Sequence, residues 1–160
     1  MDTGTINKLD AALYDRDLNA WCEQQAANLR ERSTLGSNDG LDYENLAEEI
    51  DALGRSQKNA LRSHLVVVIL HLLKWQYQPD RRGKSWENSI ANARAEVAYA
   101  LEDSPSLRRL LPEAVERAYP IAMRDAETET ALPQATFPTT CPFTVEQILD
   151  PAFNPSDPAP

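Results

Sequence analysis

The sequence predicts an all-α helical bundle of four to five main helices around a buried central helix. Apolar residues recur every three to four positions along most of the chain, which is the period of a helix that faces a core. Runs of alternating β-branched residues, which would predict strands, are almost absent. At 160 residues, 42% of them hydrophobic, the chain is long enough to bury one core without disulfides or metals.

The N-terminal part predicts a short leader and two helices. Residues 1–12 form the leader, and Asp15 or Asp17 can cap a first helix that ends near Arg32. The polar segment STLGSNDG predicts a loop, after which Asp42 caps the second helix. The apolar stripe of the second helix consists of Leu46, Ile50 and Leu53.

The middle of the chain supplies the central helix. Gly54 can end the second helix, or it can lie inside one long helix at a cost of about 1 kcal/mol; we favour the continuous helix. The segment from Leu61 to Tyr77 is apolar on all sides, so other helices must surround it. Pro79 ends it.

The remaining helices follow from caps and prolines. Ser85 is the expected cap of the next helix. Its stripe consists of Trp86, Ile90, Ala93, Val97 and Leu101. Ser104 followed by Pro105 is a favoured helix start, and it predicts a short helix up to Leu111 and then a kinked helix to about Glu129.

The C-terminal tail is proline-rich and irregular from Leu132 onward. One short helix is expected inside it, because Thr144 and Gln147 have the spacing of a capping box. We therefore expect one helical domain over residues 13–155, followed by a tail at 156–160.

Composition limits the classes of function. The net charge of −9 favours solubility and opposes non-specific attraction to nucleic acid or anionic lipid. The longest apolar run is too short to cross a bilayer, and the N-terminus does not resemble a signal peptide. Cys22 and Cys141 fit neither a disulfide framework nor a zinc motif. These features predict a cytoplasmic protein with reduced thiols.

The segment HLLKWQYQPDRRGKSW combines aromatic and basic residues and is one candidate site. Arg81, Arg82 and Lys84 can pair with phosphates while neighbouring aromatic side chains stack on bases. The same aromatics lie at helical spacing, which is typical of a core, and three loop bases bind phosphate weakly. We therefore rank nucleic-acid binding last among the candidate functions.

A metal site is a second candidate, and it would make the chain a metal-binding protein or a metal-dependent enzyme. His71 could join Glu48 or Glu49 in the way that carboxylates and imidazoles on facing helices hold metals in bundles. This site requires the chain to fold back near Gly54. The sequence lacks the Glu-x-x-His pair of such sites, so a core histidine is the favoured interpretation. Motifs for nucleotide, cofactor or acyl transfer are also missing, so nothing supports catalysis or a bound cofactor.

The charge distribution is uneven. Residues 39–51 contain six acids and no base, whereas residues 55–84 contain seven bases and one acid. On one helix face, the acids are Glu44, Glu48 and Asp51, and the bases are Arg55, Lys58 and Arg62. This face is either solvated or an interaction surface, since two copies placed antiparallel would match acids with bases. The sequence thus predicts a non-catalytic interaction module that self-associates or binds an unidentified protein partner.

Several local motifs are shared with a known family. These motifs are YDRDLNAWCEQQAANLR, LDYENLAEEIDALGRS, HLLKWQYQP, SWENSI, DSPSLR and FPTTCPFTVEQIL. Together they resemble the bacterial family called domain of unknown function twenty-nine, over nearly the whole chain. The resemblance implies a small all-helical bacterial protein and implies no reaction, cofactor or partner.

Overall fold

The computed structural model describes residues 8–36 and 38–157, with side chains from Ala12 onward. Six α-helices occur in this part of the chain and no strand. Their bounds are α1 Lys8–Arg16, α2 Leu18–Thr34, α3 Tyr43–Tyr77, α4 Lys84–Asp103, α5 Leu111–Thr130 and α6 Val145–Leu149. Three 3₁₀ segments lie at Pro79–Arg81, Pro105–Leu110 and Gln134–Thr136. The predicted all-α class and the four long helices are confirmed.

The ends of the helices follow most of the sequence signals. Asp17 caps α2 by accepting a hydrogen bond from the backbone N of Ala20 at 2.8 Å, and Asp42 accepts one from Asn45 N at the start of α3. The capping box at Thr144 and Gln147 is formed in both directions. Each of these caps satisfies an N–H group that the first turn of a helix leaves without a partner.

Two predicted features differ in the structure. α1 begins at Lys8, inside the predicted leader, and residues 1–7 lie outside the described chain. Ser85 does not cap α4, because that helix begins at Lys84 and the Gly83 carbonyl accepts the first hydrogen bonds. The predicted helix to about Glu129 is confirmed, since α5 runs from Leu111 to Thr130 with Pro112 in its first turn and Pro120 within it.

Contacts divide the chain into two compact units. The first contains the described residues up to Asn59 together with Ala100–Arg108, and the second contains Ala60–Tyr99 and the residues from Arg109 onward. The single domain over 13–155 stays a prediction.

In the first unit, α2 and the first part of α3 pack as an antiparallel hairpin. A Cβ atom added to Gly54 would lie 3.4 Å from the Cβ atom of Cys22, so the two backbones approach closely at this point. Ala26 and Ala47 are also fully buried. Small side chains along this seam explain why a glycine is tolerated within α3, which continues through Gly54 as predicted.

The second unit holds the main apolar core. Its centre is the later part of α3, as the sequence predicted. The side chains of Leu61, Leu65, Val68, Ile69, Leu72 and Leu73 are almost completely buried. The predicted stripe of α4 is buried from Ile90 to Val97, and Leu107 and Leu101 are buried in the first unit. Burial of this kind supplies most of the free energy that holds a helical unit together.

Candidate functional site

The aromatic and basic segment that follows His71 is built into the second unit. Lys74 donates a hydrogen bond to Glu129 at 2.6 Å, and its ammonium lies 4.8 Å from the ring centre of Trp86. Arg82 lies over the ring of Trp75 and donates to the Trp75 carbonyl at 2.7 Å, which caps the end of α3. These contacts use the aromatic faces for packing and cation–π contact.

The loop bases are also engaged. Arg82 forms an ion pair with Asp157, and Lys84 forms one with Glu87 at 2.6 Å. Arg81 is exposed. Of the three bases considered for phosphate binding, two therefore have carboxylate partners within the chain, which weakens that hypothesis.

The residues of the candidate metal site are not brought together. Glu48, Glu49 and His71 all lie on α3, which does not turn back at Gly54. Glu48 and His71 are 23 residues apart on it, which is about six turns of helix. Within the described part of the chain, no group of three or more histidine, cysteine or acidic side chains is close enough to hold a metal.

His71 is a half-buried residue of the second unit. Its Nδ1 atom lies 2.9 Å from the carbonyl oxygen of Val67, one turn earlier on α3. Burial is the main cause that lowers the pKa of His71, and nearby Lys74 adds to it, while the Val67 carbonyl and Glu129 act in the opposite direction. The imidazole is therefore neutral at pH 7, in agreement with the interpretation as a core histidine.

The two cysteines have the properties of inert thiols. Burial raises the pKa of Cys22, and Asp51 and Glu23 raise it further. Burial also raises the pKa of Cys141, whose Sγ donates to the Phe143 carbonyl. A thiol whose pKa is raised carries little thiolate at neutral pH, and the thiolate is the reactive form.

The charged row on α3 is largely satisfied by α2. Arg30 contacts Glu48 at 2.9 Å and Asp51 at 2.5 Å, and Lys58 contacts Glu23 at 3.2 Å. Arg55 approaches Glu48 on its own helix at 3.9 Å, and Arg62 has a partner as well, while Glu44 is exposed. Pairing with α2 therefore accounts for Glu48, Asp51 and Lys58, and it leaves less support for charge matching between two copies.

The opposite side of the same hairpin is apolar and only partly covered. Gly54 faces α2, and Leu53 precedes it by one residue, which places Leu53 about 100° around α3 from the α2-facing row. At 100° per residue, the ion-paired Glu48 and Asp51 lie on the opposite side of the α2-facing row from Leu53. Leu46 and Leu53 remain 41% and 39% exposed, and Ile50 is half-buried.

α2 contributes to this side of the hairpin. Cys22 faces Gly54, and Trp21 precedes Cys22 just as Leu53 precedes Gly54. Because the two helices are antiparallel, Trp21 and Leu53 therefore lie on the same side of the hairpin. Trp21 is half-buried and packs edge-to-face on Tyr14 at a ring distance of 4.9 Å. We call the surface formed by Trp21, Leu46, Ile50 and Leu53 the apolar flank.

The predicted stripe of Leu46, Ile50 and Leu53 lies on one side of α3, and its two leucines are partly exposed rather than buried in a core. Sequence periodicity locates an apolar row, and it does not reveal whether another helix covers that row. The row that does face α2 consists of small residues, Ala47 and Gly54, which carry almost no hydrophobic signal.

A groove of about 530 Å³ lies in the second unit between α4 and the segment around α6. Arg94 lines it and is only 7% exposed. Its guanidinium donates to the carbonyl oxygens of Ile148, Gln147 and Phe153 at 2.8, 3.1 and 3.0 Å. Sequence reasoning did not single out Arg94, whose position on α4 gives no sign that it holds the C-terminal segment.

A polar cluster in the first unit was also missed. Asp17 accepts hydrogen bonds from both the backbone N and the hydroxyl of Ser106, and Ser104 accepts one from the backbone N of Asn19. Asn19 is fully buried and donates to the Ser106 hydroxyl at 3.0 Å. The motifs YDRDLN and DSPS thus meet as mutual helix caps, a structural role that accounts for their polar residues.

Comparisons with known proteins agree with this geometry. The family model described as Domain of unknown function DUF29 matches residues 13–154. A crystal structure of an alpha-helical protein of unknown function from Rhodospirillum rubrum is similar over 88% of this chain and 91% of that chain, with 26% identity and a TM-score of 0.65. No curated protein matches the chain. The comparisons confirm the family resemblance and the helical fold, and they indicate no function.

One further finding concerns membranes. Within the described residues, no helix combines the length and the apolar character that crossing a bilayer requires.

Proposed function

The chain belongs to the family Domain of unknown function DUF29, and from its geometry we propose that it is a non-catalytic binding module of the bacterial cytoplasm that docks a helix of another protein on the apolar flank. The observation that carries this proposal is the exposure of Leu46 and Leu53, two large apolar residues seven positions apart on one helix. Residues at this spacing lie on the same face and form a continuous strip.

The shape of the apolar flank favours a helix as the bound element. Two antiparallel helices leave a shallow channel between them, and a third helix packs into such a channel through side chains at the spacing i, i+3, i+4 and i+7. Trp21 on α2 and Leu53 on α3 supply apolar side chains on the two sides of this channel. Aromatic residues are enriched among the side chains that contribute most to binding.

The roles of the reactive side chains support binding rather than catalysis. Asp17 and Ser104 cap helices, Arg94 holds backbone carbonyls, and the Cys22 and Cys141 thiols have raised pKa values. Asp17, Ser104 and Arg94 each have a structural partner, whereas the leucines of the apolar flank lack the burial that apolar side chains gain in a core.

A helix of another protein is a better occupant than a second copy. The stripe is centred on Ile50, and Glu49 next to it is exposed. A twofold axis through this centre would bring Glu49 close to its own copy, and like charges placed together oppose association. The charge matching that the sequence suggested for two copies is also used within the hairpin by Arg30 and Lys58.

Binding of a neutral amphipathic peptide tests the proposal. The probe is an 18-residue helical peptide with leucines on one face and serine and glutamine on the other, labelled for fluorescence anisotropy. We expect saturable binding that weakens at least tenfold in the double variant Leu46→Ser and Leu53→Ser, since two large apolar side chains are removed from the contact. Leu35→Ser is the matched control, because Leu35 is 74% exposed and lies outside the apolar flank.

The same samples test self-association. Sedimentation of the protein without peptide separates the two occupants. A monomer that binds the peptide through the apolar flank supports the proposal. A dimer that dissociates in the double leucine variant identifies a second copy as the occupant, and an absence of binding with an unchanged monomer overturns the proposed function.

A further inference from the structure

The first unit is the acidic part of the molecule. Its described residues include 13 acidic and 7 basic side chains, a formal charge of −6, whereas the larger second unit has 11 acidic and 9 basic side chains, a charge of −2. The apolar flank therefore lies on the unit that carries most of the negative charge.

The acids are concentrated where the leucines are exposed. Residues 39–51 contain six acids and no base, and the exposed Leu41 and Leu46 lie within this segment. Arg30 forms ion pairs with both Glu48 and Asp51, on the side of the hairpin away from the apolar flank.

Other acids of the segment keep their charge exposed. Asp42 and Glu49 are exposed, and no ion pair to either occurs among the described residues. Glu49 lies one turn from both Leu46 and Leu53, and Asp42 lies one turn before Leu46, so both acids are at the edge of the apolar flank. The exposed Arg32 near the end of α2 offsets one of these charges and leaves an excess of acid.

We propose that the partner of the apolar flank is a cationic amphipathic helix of another protein, with leucine-like residues in the channel and lysine or arginine residues along its edge. This inference rests on the proposed function and adds the charge of the partner to it. Complementary charge at the rim of an interface directs association and discriminates against partners of the wrong sign.

Three peptides with one apolar face test the inference. Their polar faces carry lysine and arginine, glutamate, or serine and glutamine. At low salt we expect the cationic peptide to bind about tenfold more tightly than the neutral one and the anionic peptide to bind more weakly than both, since several exposed charge pairs each contribute modestly. In 1 M salt the three affinities should converge, because the screening length falls to about 3 Å.

Charge variants show which acids are responsible. The double variant Asp42→Asn and Glu49→Gln should reduce the preference for the cationic peptide at least threefold and leave the affinity for the neutral peptide unchanged, since asparagine can still cap α3. The matched control is Glu116→Gln with Glu146→Gln, which removes two exposed acids from the second unit and should leave the preference as it is in the wild type.

The outcomes distinguish the inference from the function on which it rests. If the three peptides bind equally and the double leucine variant weakens all of them, the helix-binding function stands and the cationic partner is wrong. If the cationic peptide binds equally well to the double leucine variant, the attraction is general electrostatics and the inference is overturned. If no peptide binds, the proposed function and the inference fail together.

Discussion

Asp17 accepts a hydrogen bond from the backbone N of Ser106 at 2.6 Å, and in return Ser104 accepts one from the backbone N of Asn19 at 3.0 Å. The N-terminus of α2 and the N-terminus of the 3₁₀ segment Pro105–Leu110 are therefore each capped by a side chain from the other. A cap usually satisfies the helix to which it belongs, whereas this exchange joins two segments that are far apart in sequence.

Replacing Asp17 should lower the free energy of unfolding more than the loss of an ordinary helix cap does. The carboxylate accepts from Ala20 N, from Ser106 N and from the Ser106 hydroxyl. Asp17→Ala leaves these donors without their acceptor, so we expect the free energy of unfolding to fall by about 2–3 kcal/mol, compared with about 1 kcal/mol for a typical cap. Urea unfolding of the variant and the wild type measures this difference.

Asp15→Ala is the matched control, because Asp15 is an exposed acid two residues earlier that fits the sequence pattern of a cap equally well. It should change the stability by less than about 0.5 kcal/mol. Equal losses in the two variants would show that general helix electrostatics, rather than the exchanged caps, account for the effect.

Gly54 should accept alanine but no larger residue. A Cβ atom there meets the Cys22 Cβ at 3.4 Å, which is ordinary contact, and alanine is favoured over glycine within a helix. We expect Gly54→Ala to raise the free energy of unfolding by about 0.5–1 kcal/mol. Gly54→Leu would push against the buried Cys22 and should lower it by about 2 kcal/mol.

Substitutions at Ser56 separate packing from helix propensity. Ser56 lies two residues further on α3 and is exposed. Chemical unfolding of Ser56→Ala and Ser56→Leu should show small changes in the same direction. A similar response of the two positions to leucine would contradict the close approach of α2 and α3 at Gly54.

The sequence predicted the secondary structure well, but it did not predict which segments pack against each other. The continuous α3, the buried segment after Leu61 and the capping box at Thr144 depend on short-range patterns, and all three are confirmed. The partner of each cap and the cover over each apolar stripe depend on tertiary packing, which a helical period does not encode. For this reason the exposure of Leu46 was not foreseen.

The same limit applies to the charged row. Glu48 and Asp51 could face solvent, a second copy or α2, and sequence spacing fits all three arrangements equally. Only the register of the hairpin, which places Arg30 beside both acids, selects the third. The small residues that set this register, such as Gly54 and Ala26, look unremarkable in the sequence.

Stability should depend on His71 below about pH 6.5. Burial lowers the pKa of this histidine in the folded protein, so the unfolded chain binds a proton more readily than the folded chain. Acid therefore favours unfolding, while above the unfolded pKa of about 6.5 both states are neutral and the effect vanishes. The loss reaches at most about 1.4 kcal/mol at pH 5.5.

Comparison with His71→Gln isolates this effect. Urea unfolding gives the change in the free energy of unfolding between pH 7.5 and pH 5.5 for each protein. The titration of the carboxylates contributes equally to both changes and largely cancels when they are compared. The wild type should lose more stability than the variant between these values. The charged neighbours Lys74 and Glu129 remain in both proteins, so an equal loss would show that His71 is protonated in the folded state.

Arg94 should be required for the attachment of the C-terminal segment. One planar guanidinium satisfies the carbonyls of Gln147, Ile148 and Phe153, and the single ammonium of lysine cannot reproduce this geometry. Burial lowers the pKa of Arg94, and nearby Asp150 partly opposes this shift. Burying the charged guanidinium is therefore unfavourable, and its hydrogen bonds to the three carbonyls compensate. We expect Arg94→Lys to lower the free energy of unfolding by about 3 kcal/mol.

Amide hydrogen exchange shows where that stability is lost. The amides of α6, Val145–Leu149, should exchange much faster in Arg94→Lys, because the last turn of α6 loses its donors while the core around Leu65 is unchanged. Arg117→Lys is the control, since Arg117 forms an exposed ion pair with Glu113 at 2.7 Å that contributes little. Uniform acceleration across the protein in Arg94→Lys would mean that this arginine supports the whole second unit rather than the C-terminal segment alone.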